Sequence, residues 1–232
     1  MKNLIFDVDG TLVDTYPGIK RSVEEAIGTV YPGRGIPEGA TIKVGPRIRE
    51  IMRQLLGELP LADVARLEAA FRESYDNRGW ADFVTYPGVL ETLAELKARA
   101  DFVLFVVTNK PELPTSSVLR TLGIDKHFTE IVCPNSRSPK FPDKRACLEY
   151  LVSKHRMSPV DCLYIGDTQE DRSAAHGLGI GFIGVEYGYG GLGRTGDCYT
   201  IETIHALIAA LESADAIRDS IFAKRRSEDE PA

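Results

Sequence analysis

Two aspartates lie two residues apart near the start of the chain, in the run Asp7-Val8-Asp9-Gly10-Thr11 that follows an apolar segment. On an extended backbone their carboxylates point the same way. At a strand end such a pair can share one Mg²⁺ ion or one reacting group, because Mg²⁺ prefers hard oxygen ligands. Gly10 allows a sharp turn that exposes backbone amides to an anion. The run therefore predicts chemistry on a metal or an anion.

Further polar side chains follow two later apolar runs of the sequence. Ligands of parallel α/β sheets bind at the carboxyl ends of the strands, so residues that follow different strands can share one site. We therefore expect a common site for Asp7, Asp9 and the polar residues after the later runs. These are Thr108, Asn109, Asp167 and Asp171.

The elements that must position these residues alternate between strand and helix. Short buried strands are predicted at Asn3–Phe6, Phe102–Thr108, Ile131–Cys133, Cys162–Ile165 and Gly181–Val185. Helices are predicted at Pro87–Ala100, Pro111–Gly123, Pro142–Arg156, in a segment that ends at Gly177, and at Thr200–Ser213. This alternation predicts an α/β fold, a doubly wound parallel sheet with helices on both faces.

The segment from Tyr16 to Thr85 has a different pattern of apolar residues. Its apolar residues recur at helical spacing, as in Ile19, Val23 and Ile27, and no strand pattern interrupts them. The sequence thus predicts an α/β core formed by residues 1–15 and 86–224, a helical domain of residues 16–85, and a disordered tail of residues 225–232.

Composition narrows the classes of function. The chain has 232 residues, of which 43% are hydrophobic, and a net charge of −6, whereas a protein that mainly binds nucleic acid is normally basic. The four cysteines form no C-x-x-C pair. The start lacks the apolar stretch of a signal peptide, and the run Phe102–Val107 is far shorter than the ~20 residues of a membrane span. We expect a cytoplasmic protein, with monomer and homodimer both open.

Three segments resemble signatures of the haloacid dehalogenase superfamily of phosphohydrolases. Asp7–Thr15 resembles the first signature, Val106–Lys110 the second, and Ile165–Asp171 the fourth, G-D-x-x-x-D. Their order, spacing and strand-end positions together make the resemblance specific. It implies a Rossmann-like core in which the helical segment is a mobile cap, inserted after the first strand.

The resemblance implies a role for each acidic residue. Asp7 would be the nucleophile that forms an aspartyl-phosphate, and Asp9 the general acid and then the general base. Asp7, Asp167 and the backbone carbonyl of Val8 or Asp9, in this family usually that of the second aspartate, would hold Mg²⁺. Asp171 would hold a lysine or a metal-bound water, which completes the predicted metal set Asp7, Asp9, Asp167 and Asp171.

The third signature of the superfamily is a lone lysine, for which the sequence offers two candidates. Lys144 is preferred because it stands at a helix start after Asp143, a plausible cap. Lys140 is the alternative, but Phe141 follows it where many relatives have K-P-x-P. The phosphoryl group would be bound by Thr108, Asn109, Gly10 and Thr11.

The subfamily resemblance concerns the substrate. The T-N-K-P run from Thr108 to Pro111 and the run Gly184–Gly190 look most like phosphoglycolate-phosphatase-type members. Arg47, in a loop that resembles a cap loop, is the candidate for a substrate carboxylate or second phosphate. Lys110 is a candidate substrate contact.

The expected function is a Mg²⁺-dependent phosphatase of a small phosphorylated metabolite, similar to phosphoglycolate. Asp9 argues against a dehalogenase, because a dehalogenase protonates no alkoxide leaving group. Two alternatives remain open, a phosphomutase of the β-phosphoglucomutase type and a non-catalytic binding protein on the same fold.

Overall fold

A six-stranded parallel sheet forms the centre of the structure, a computed structural model that describes residues 2–192 and 198–213. The strands along the chain are β1 (Lys2–Phe6), β2 (Val13–Asp14), β3 (Val84–Thr85), β4 (Phe102–Val107), β5 (Glu130–Val132), β6 (Cys162–Gly166), β7 (Gly181–Val185) and β8 (Tyr199–Ile201). In the large sheet the order is β5-β4-β1-β6-β7-β8, and β2 pairs with β3 in a separate two-stranded sheet. The predicted α/β fold is confirmed.

The inner strands are apolar and buried at their carboxyl-terminal residues because both faces of the sheet are covered there. In β1, Ile5 is fully buried and lies in register with Phe105 of β4 and Tyr164 of β6. The central position of β1 explains why so short a run, Leu-Ile-Phe, is completely excluded from solvent.

The strand order places a switch point at β1. The chain adds β4 and β5 on one side of β1 and then β6, β7 and β8 on the other. At such a point the loops that leave neighbouring strands diverge and open a crevice at the carboxyl edge of the sheet. The loops after β1, β4 and β6 therefore meet at one edge, as the sequence predicts.

Helices connect these strands, and candidate functional residues lie in the first turns of two of them. They are α1 (Tyr16–Val30), α2 (Ile48–Leu56), α3 (Leu61–Asn77), α4 (Val89–Ala98), α5 (Glu112–Thr121), α6 (Lys144–Lys154), α7 (Gln169–His176) and α8 (Ala206–Glu212). α6 packs against β4 and β5, and α7 packs against β6 and β7. The first turns of α6 and α7 are thereby fixed at the edge where the strands end.

Two compact units divide the chain. The first, which we call the core unit, contains residues 1–12 and 85–232, and the second, the helical unit, contains Val13–Val84. In the helical unit α1 packs along α3, and Gly18 approaches Gly79 so closely that a Cβ on Gly18 would overlap the Gly79 carbonyl oxygen. The hydroxyl oxygens of Ser74 and Ser22 also lie 3.0 Å apart, at hydrogen-bonding distance, across this helix pair.

One element differs from the sequence prediction. Thr200 was expected within a helix over Thr200–Ser213, but it lies in β8, and the helix α8 begins only at Ala206. β8 is an edge strand whose Tyr199 and Ile201 pair in register with Ile183 and Val185 of β7. This pairing with a distant segment places the strand at the edge of the sheet, and the short run Tyr-Thr-Ile does not indicate it by its own pattern.

Some predictions fall outside the described residues. The tail 225–232 and the end of the predicted core at residue 224 belong to this group. Within the described ranges, none of the helices combines the length and the apolarity that crossing a membrane requires.

Candidate active site

The loop after β1 carries Asp7 into the carboxyl edge of the sheet. The Asp7 amide donates to the carbonyl oxygen of Ile165 in β6 (2.9 Å), and the side chain is 6% exposed. Gly10 turns the loop back with a φ of +82°, a conformation that favours glycine. A Cβ there would also overlap the carboxylate of Asp167. Thr11 is fully buried beside this turn.

Lys144 contacts Asp7 from the start of α6. Asp143 caps this helix by accepting a hydrogen bond from the Ala146 amide (2.8 Å), so that Lys144 occupies the first helical position. Its Nζ lies 3.0 Å from Asp7 Oδ2 and forms a second ion pair with Asp171 Oδ1. Of the two candidate lysines, the structure therefore brings Lys144 to Asp7.

Lys140 lies elsewhere: it is exposed, four residues before the helix begins.

The loop after β6 contributes two buried carboxylates. Asp171 lies in the first turn of α7, where its Oδ2 accepts hydrogen bonds from the Thr168 amide (3.0 Å) and hydroxyl (2.6 Å). Together with Lys144, Thr168 engages both oxygens of Asp171. Asp167, at the end of β6, accepts a hydrogen bond on Oδ2 from the Tyr189 amide (2.7 Å). Asp171 is thus built to hold Lys144, and Asp167 keeps one oxygen available.

The loop after β4 brings a second buried lysine. Thr108 is 1% exposed, and its hydroxyl accepts a hydrogen bond from the Lys110 amide (3.2 Å). Lys110 is 5% exposed, and its Nζ lies 3.1 and 3.4 Å from the two carboxylate oxygens of Asp9. Asn109 donates a side-chain hydrogen bond to Glu170 (2.9 Å). The carboxylates of Asp7 and Asp9 therefore each have a lysine partner.

Arg47 belongs to the helical unit. It is exposed and occupies the N-cap position of α2, where its carbonyl accepts hydrogen bonds from the amides of Glu50 and Ile51. Its role in substrate binding stays a prediction.

Comparison with protein families matches residues 4–185 to the family of haloacid dehalogenase-like hydrolases. The match spans most of the chain and includes every strand-end residue described above except Tyr189. The chain belongs to this family.

Individual relatives agree with the assignment of this haloacid dehalogenase-like hydrolase. Phosphoglycolate phosphatase from Vibrio vulnificus is 34% identical over 199 residues, which cover 82% of this chain and 85% of the relative. Tyrosine-protein kinase PtkA of Mycobacterium tuberculosis is 34% identical over 190 residues, 81% of this chain and 62% of that protein. We therefore classify the chain as a phosphatase-type hydrolase of this family.

Solved structures show the same fold. The structure of a predicted phosphoglycolate phosphatase from Haemophilus somnus superposes with a TM-score of 0.76 at 27% identity. The superposition covers 91% of this chain and 98% of that one. A haloacid dehalogenase-like family hydrolase from Streptococcus pneumoniae gives a TM-score of 0.80 at 24% identity, with coverage of 91% and 98%.

The charges at the sheet edge of the hydrolase shift one another's protonation. Burial raises the pKa of Asp7 from 3.8 to about 7; Lys144 opposes this shift, while Asp171 and Asp167 add to it. Burial, followed by the charge of Asp171, raises the pKa of Asp167 to about 6. Burial alone would lower the pKa of Lys144, but Asp171 and Asp7 outweigh it, so that this pKa lies above the usual lysine value. The edge holds an excess of negative charge that a cation would stabilise.

The donor set fits a divalent metal ion. Carboxylate oxygens of Asp7, Asp167 and Asp171 lie within 4.8 Å of one another. Among the described residues, Asp7 Oδ1 and Asp167 Oδ1 are buried and have no hydrogen-bond partner. Buried polar atoms are almost always paired in proteins, and hard oxygens are what Mg²⁺, Ca²⁺ and Mn²⁺ bind. This hydrolase therefore has residues that can hold a divalent cation.

Sequence reasoning gave too little weight to two features of this edge. Lys110 was only a candidate substrate contact, yet the structure buries it against Asp9. Thr168 was passed over, although Thr168-Gln-Glu-Asp171 has the spacing of a capping box and forms one. The capping pattern can be recognised in the sequence. The Lys110–Asp9 pair joins the loops that follow two different strands, so it can be recognised only once the fold is known.

Proposed function

We propose that the protein is a Mg²⁺-dependent phosphatase that hydrolyses a small phosphorylated metabolite similar to phosphoglycolate, through an aspartyl-phosphate on Asp7. One observation carries this proposal. Asp7 Oδ2 is held by Lys144 at 3.0 Å, while Oδ1 is buried without a partner among the described residues. A carboxylate that is fixed through one oxygen and has no partner at the other can both contact a metal ion and attack an electrophile from a defined direction.

Asp7 performs the first step. A carboxylate oxygen of Asp7 attacks the phosphorus, a P–O bond to the aspartate forms, and the P–O bond to the substrate alcohol breaks. Burial raises the pKa of Asp7 to about 7, and the ion pair with Lys144 offsets part of this effect by favouring the ionised carboxylate that attacks. Asp7, Asp167 and the Asp9 carbonyl would hold Mg²⁺, which when bound would reduce the repulsion between the two anions and stabilise the charge of the transition state.

Asp9 moves the protons. Its carboxyl group donates a proton to the leaving alkoxide, and the resulting carboxylate then takes a proton from the water that attacks the aspartyl-phosphate. That attack breaks the bond between phosphorus and Asp7 and releases inorganic phosphate. Lys110 fixes the carboxylate through contacts of 3.1 and 3.4 Å. We assign it the role of orienting Asp9.

The remaining residues of the loops bind the phosphoryl oxygens. Thr108 and the amide of Asn109 follow β4, and Gly10 and Thr11 follow β1. In this proposal the hydroxyls of Thr108 and Thr11 donate to phosphoryl oxygens. The Thr11 hydroxyl is buried and has no partner among the described residues, which supports this assignment.

Substrate choice is assigned to the helical unit, which we propose to act as the cap, with the predicted limits 16–85. Arg47 would recognise a carboxylate or a second phosphate, since guanidinium binds such groups with two parallel hydrogen bonds. The relatives named phosphoglycolate phosphatase support a substrate that combines a phosphate with a carboxylate.

All four cysteines are free thiols, which favours the cytoplasm.

The test is the release of inorganic phosphate from a panel of phosphorylated metabolites, with Mg²⁺ and with a chelator, for the wild type and Asp7→Asn. We expect release that requires the metal, favours phosphoglycolate-like compounds and is absent in the variant. Asp161→Asn, an exposed aspartate, is the matched control. Release that requires a sugar bisphosphate would favour the phosphomutase. No release from any compound by folded, Mg²⁺-bound protein would contradict the phosphatase.

A further inference from the structure

The loop that follows β7 contains the sequence Glu-Tyr-Gly-Tyr-Gly, residues 186–190, here called the YGYG loop. It contacts the sheet edge through its backbone. The Tyr189 amide donates a hydrogen bond of 2.7 Å to Asp167 Oδ2. The other oxygen of the same carboxylate, Oδ1, is buried and has no partner among the described residues. The two oxygens of Asp167 are thus distinguished by one backbone hydrogen bond.

The two glycines of the YGYG loop allow this hydrogen bond to form. A Cβ on Gly188 would overlap the Asp167 side chain and the Gly10 carbonyl oxygen, and one on Gly190 would overlap the Asp167 carbonyl group. Neither glycine has a positive φ, so conformational freedom does not explain them. Only a chain without side chains at these two positions can lie this close to Asp167. At Gly190 the obstacle is backbone, which cannot rotate away.

Tyr187 joins the YGYG loop to the loop after β1. Its hydroxyl donates to the Thr11 carbonyl oxygen (2.9 Å), and its ring centroid lies 4.6 Å from that of Tyr86. The Tyr86 amide in turn donates to the Leu12 carbonyl oxygen (3.3 Å). The YGYG loop therefore bridges the segments that carry Asp7 and Asp167.

We infer that the YGYG loop is a positioning element for the divalent cation: the Tyr189 amide fixes Asp167 Oδ2, so that Oδ1 faces the metal. Gly188 and Gly190 are positioning residues because they admit the loop to hydrogen-bonding distance. The inference rests on the proposed metal-dependent function. Groups that orient a metal ligand commonly change metal affinity 10- to 100-fold when they are lost.

The experiment measures metal binding directly. Isothermal titration calorimetry of metal-free protein with Mg²⁺ compares the wild type, Gly190→Ala and Gly188→Ala. The control is Gly35→Ala, because a Cβ at this exposed glycine meets no heavy atom within 4 Å and its φ is not positive. We expect Mg²⁺ binding to weaken about 10- to 100-fold in both loop variants and to stay within twofold in Gly35→Ala. Far-ultraviolet circular dichroism and thermal unfolding in chelator establish that each variant is folded.

The outcomes separate this inference from the proposed function. Wild-type protein that fails to bind Mg²⁺ contradicts the metal-dependent function itself. A folded Gly190→Ala variant with the wild-type dissociation constant overturns the positioning role while the function stands.

Amide hydrogen exchange on the unaltered protein decides the matter if the glycine variants do not fold. We expect the Tyr189 amide to exchange at least tenfold more slowly than an unprotected amide, and more slowly still with Mg²⁺. Exchange at the unprotected rate in both states overturns the inference.

Discussion

The core unit and the helical unit treat charge in opposite ways. The core unit buries five charged side chains at the edge of the sheet where its strands end: Asp7, Lys110, Lys144, Asp167 and Asp171. In the described part of the helical unit, the buried polar side chains are the hydroxyls of Thr15, Ser22 and Ser74. Its ion pairs, such as Arg49 with Glu68 and Arg78 with Glu25, are exposed or half-exposed.

This difference distinguishes buried charged residues that serve chemistry from exposed charged residues that serve solubility. Burying a charge without a partner is strongly unfavourable, and even a paired buried charge stabilises a fold little compared with apolar packing. Exposed pairs contribute at most about 1 kcal/mol. Five buried charges at one sheet edge are therefore a sign of function, whereas the arginines of the helical unit carry no such sign.

The largest effect is expected at Lys144. Lys144→Met leaves Asp7 and Asp171 without their shared cation, so we expect kcat to fall by roughly 10²-fold or more. The free energy of unfolding of the metal-free protein should fall by about 3 kcal/mol, as when one partner of a buried pair is removed. Steady-state kinetics and denaturant unfolding measure the two quantities. Lys140→Met, at an exposed lysine, should leave both nearly unchanged. The reverse ranking of the two lysines would contradict the assignment.

The second prediction concerns pH. The folded-state pKa values of Asp7 (about 7) and Asp167 (about 6) lie above the unfolded value of about 3.8. Between pH 4 and 7 the folded state therefore binds more protons than the unfolded state, and metal-free stability should fall as pH rises through this window. Denaturant midpoints in chelator test this. Asp7→Asn should flatten the slope, and an unchanged slope would show that Asp7 is not the titrating group.

A smaller effect is expected at Arg47 of the helical unit. If it binds the substrate carboxylate, Arg47→Ala should raise KM for carboxylate-bearing substrates about tenfold, with kcat changed less than threefold. Arg49→Ala, which removes an exposed pair with Glu68, is the control. Equal changes in KM for substrates with and without a carboxylate would remove Arg47 from the site.

The smallest effect is expected at Glu25. Its carboxylate lies 2.8 Å from an Arg78 nitrogen and accepts a hydrogen bond from Ser74 (2.7 Å). Glu25→Gln should change the free energy of unfolding by less than about 1 kcal/mol and leave kcat unaltered, because solvent screens the pair. A loss as large as that of Lys144→Met would end the contrast between the two units.

The sequence predicted the central fold because its signals are local. Each apolar strand that is followed by Asp7, Thr108 or Asp167 can be recognised from its own short segment. The parallel sheet then follows from the alternation of these strands with helices. The choice of Lys144 over Lys140 depended on the helix cap Asp143, which is also a local signal.

What the sequence did not predict depends on contacts between distant segments. The Lys110–Asp9 pair joins residues 101 positions apart, and the Tyr189–Asp167 hydrogen bond joins residues 22 apart across two strand ends. The prediction of a helix at the position of edge strand β8 was wrong, because the strand forms by pairing with β7. Such features require the register of the sheet, which no periodicity contains.

The most direct test of the account is to trap the covalent intermediate on Asp7. Wild-type protein turning over its best substrate with Mg²⁺ is quenched and treated with borohydride, which reduces an acyl phosphate on aspartate to homoserine. Peptide mass spectrometry should then find homoserine at position 7, in a metal-dependent amount, and none in Asp7→Asn. Rapid turnover with aspartate unchanged at position 7, or with the phosphoryl group on another residue, would contradict the assignment of Asp7 as the nucleophile.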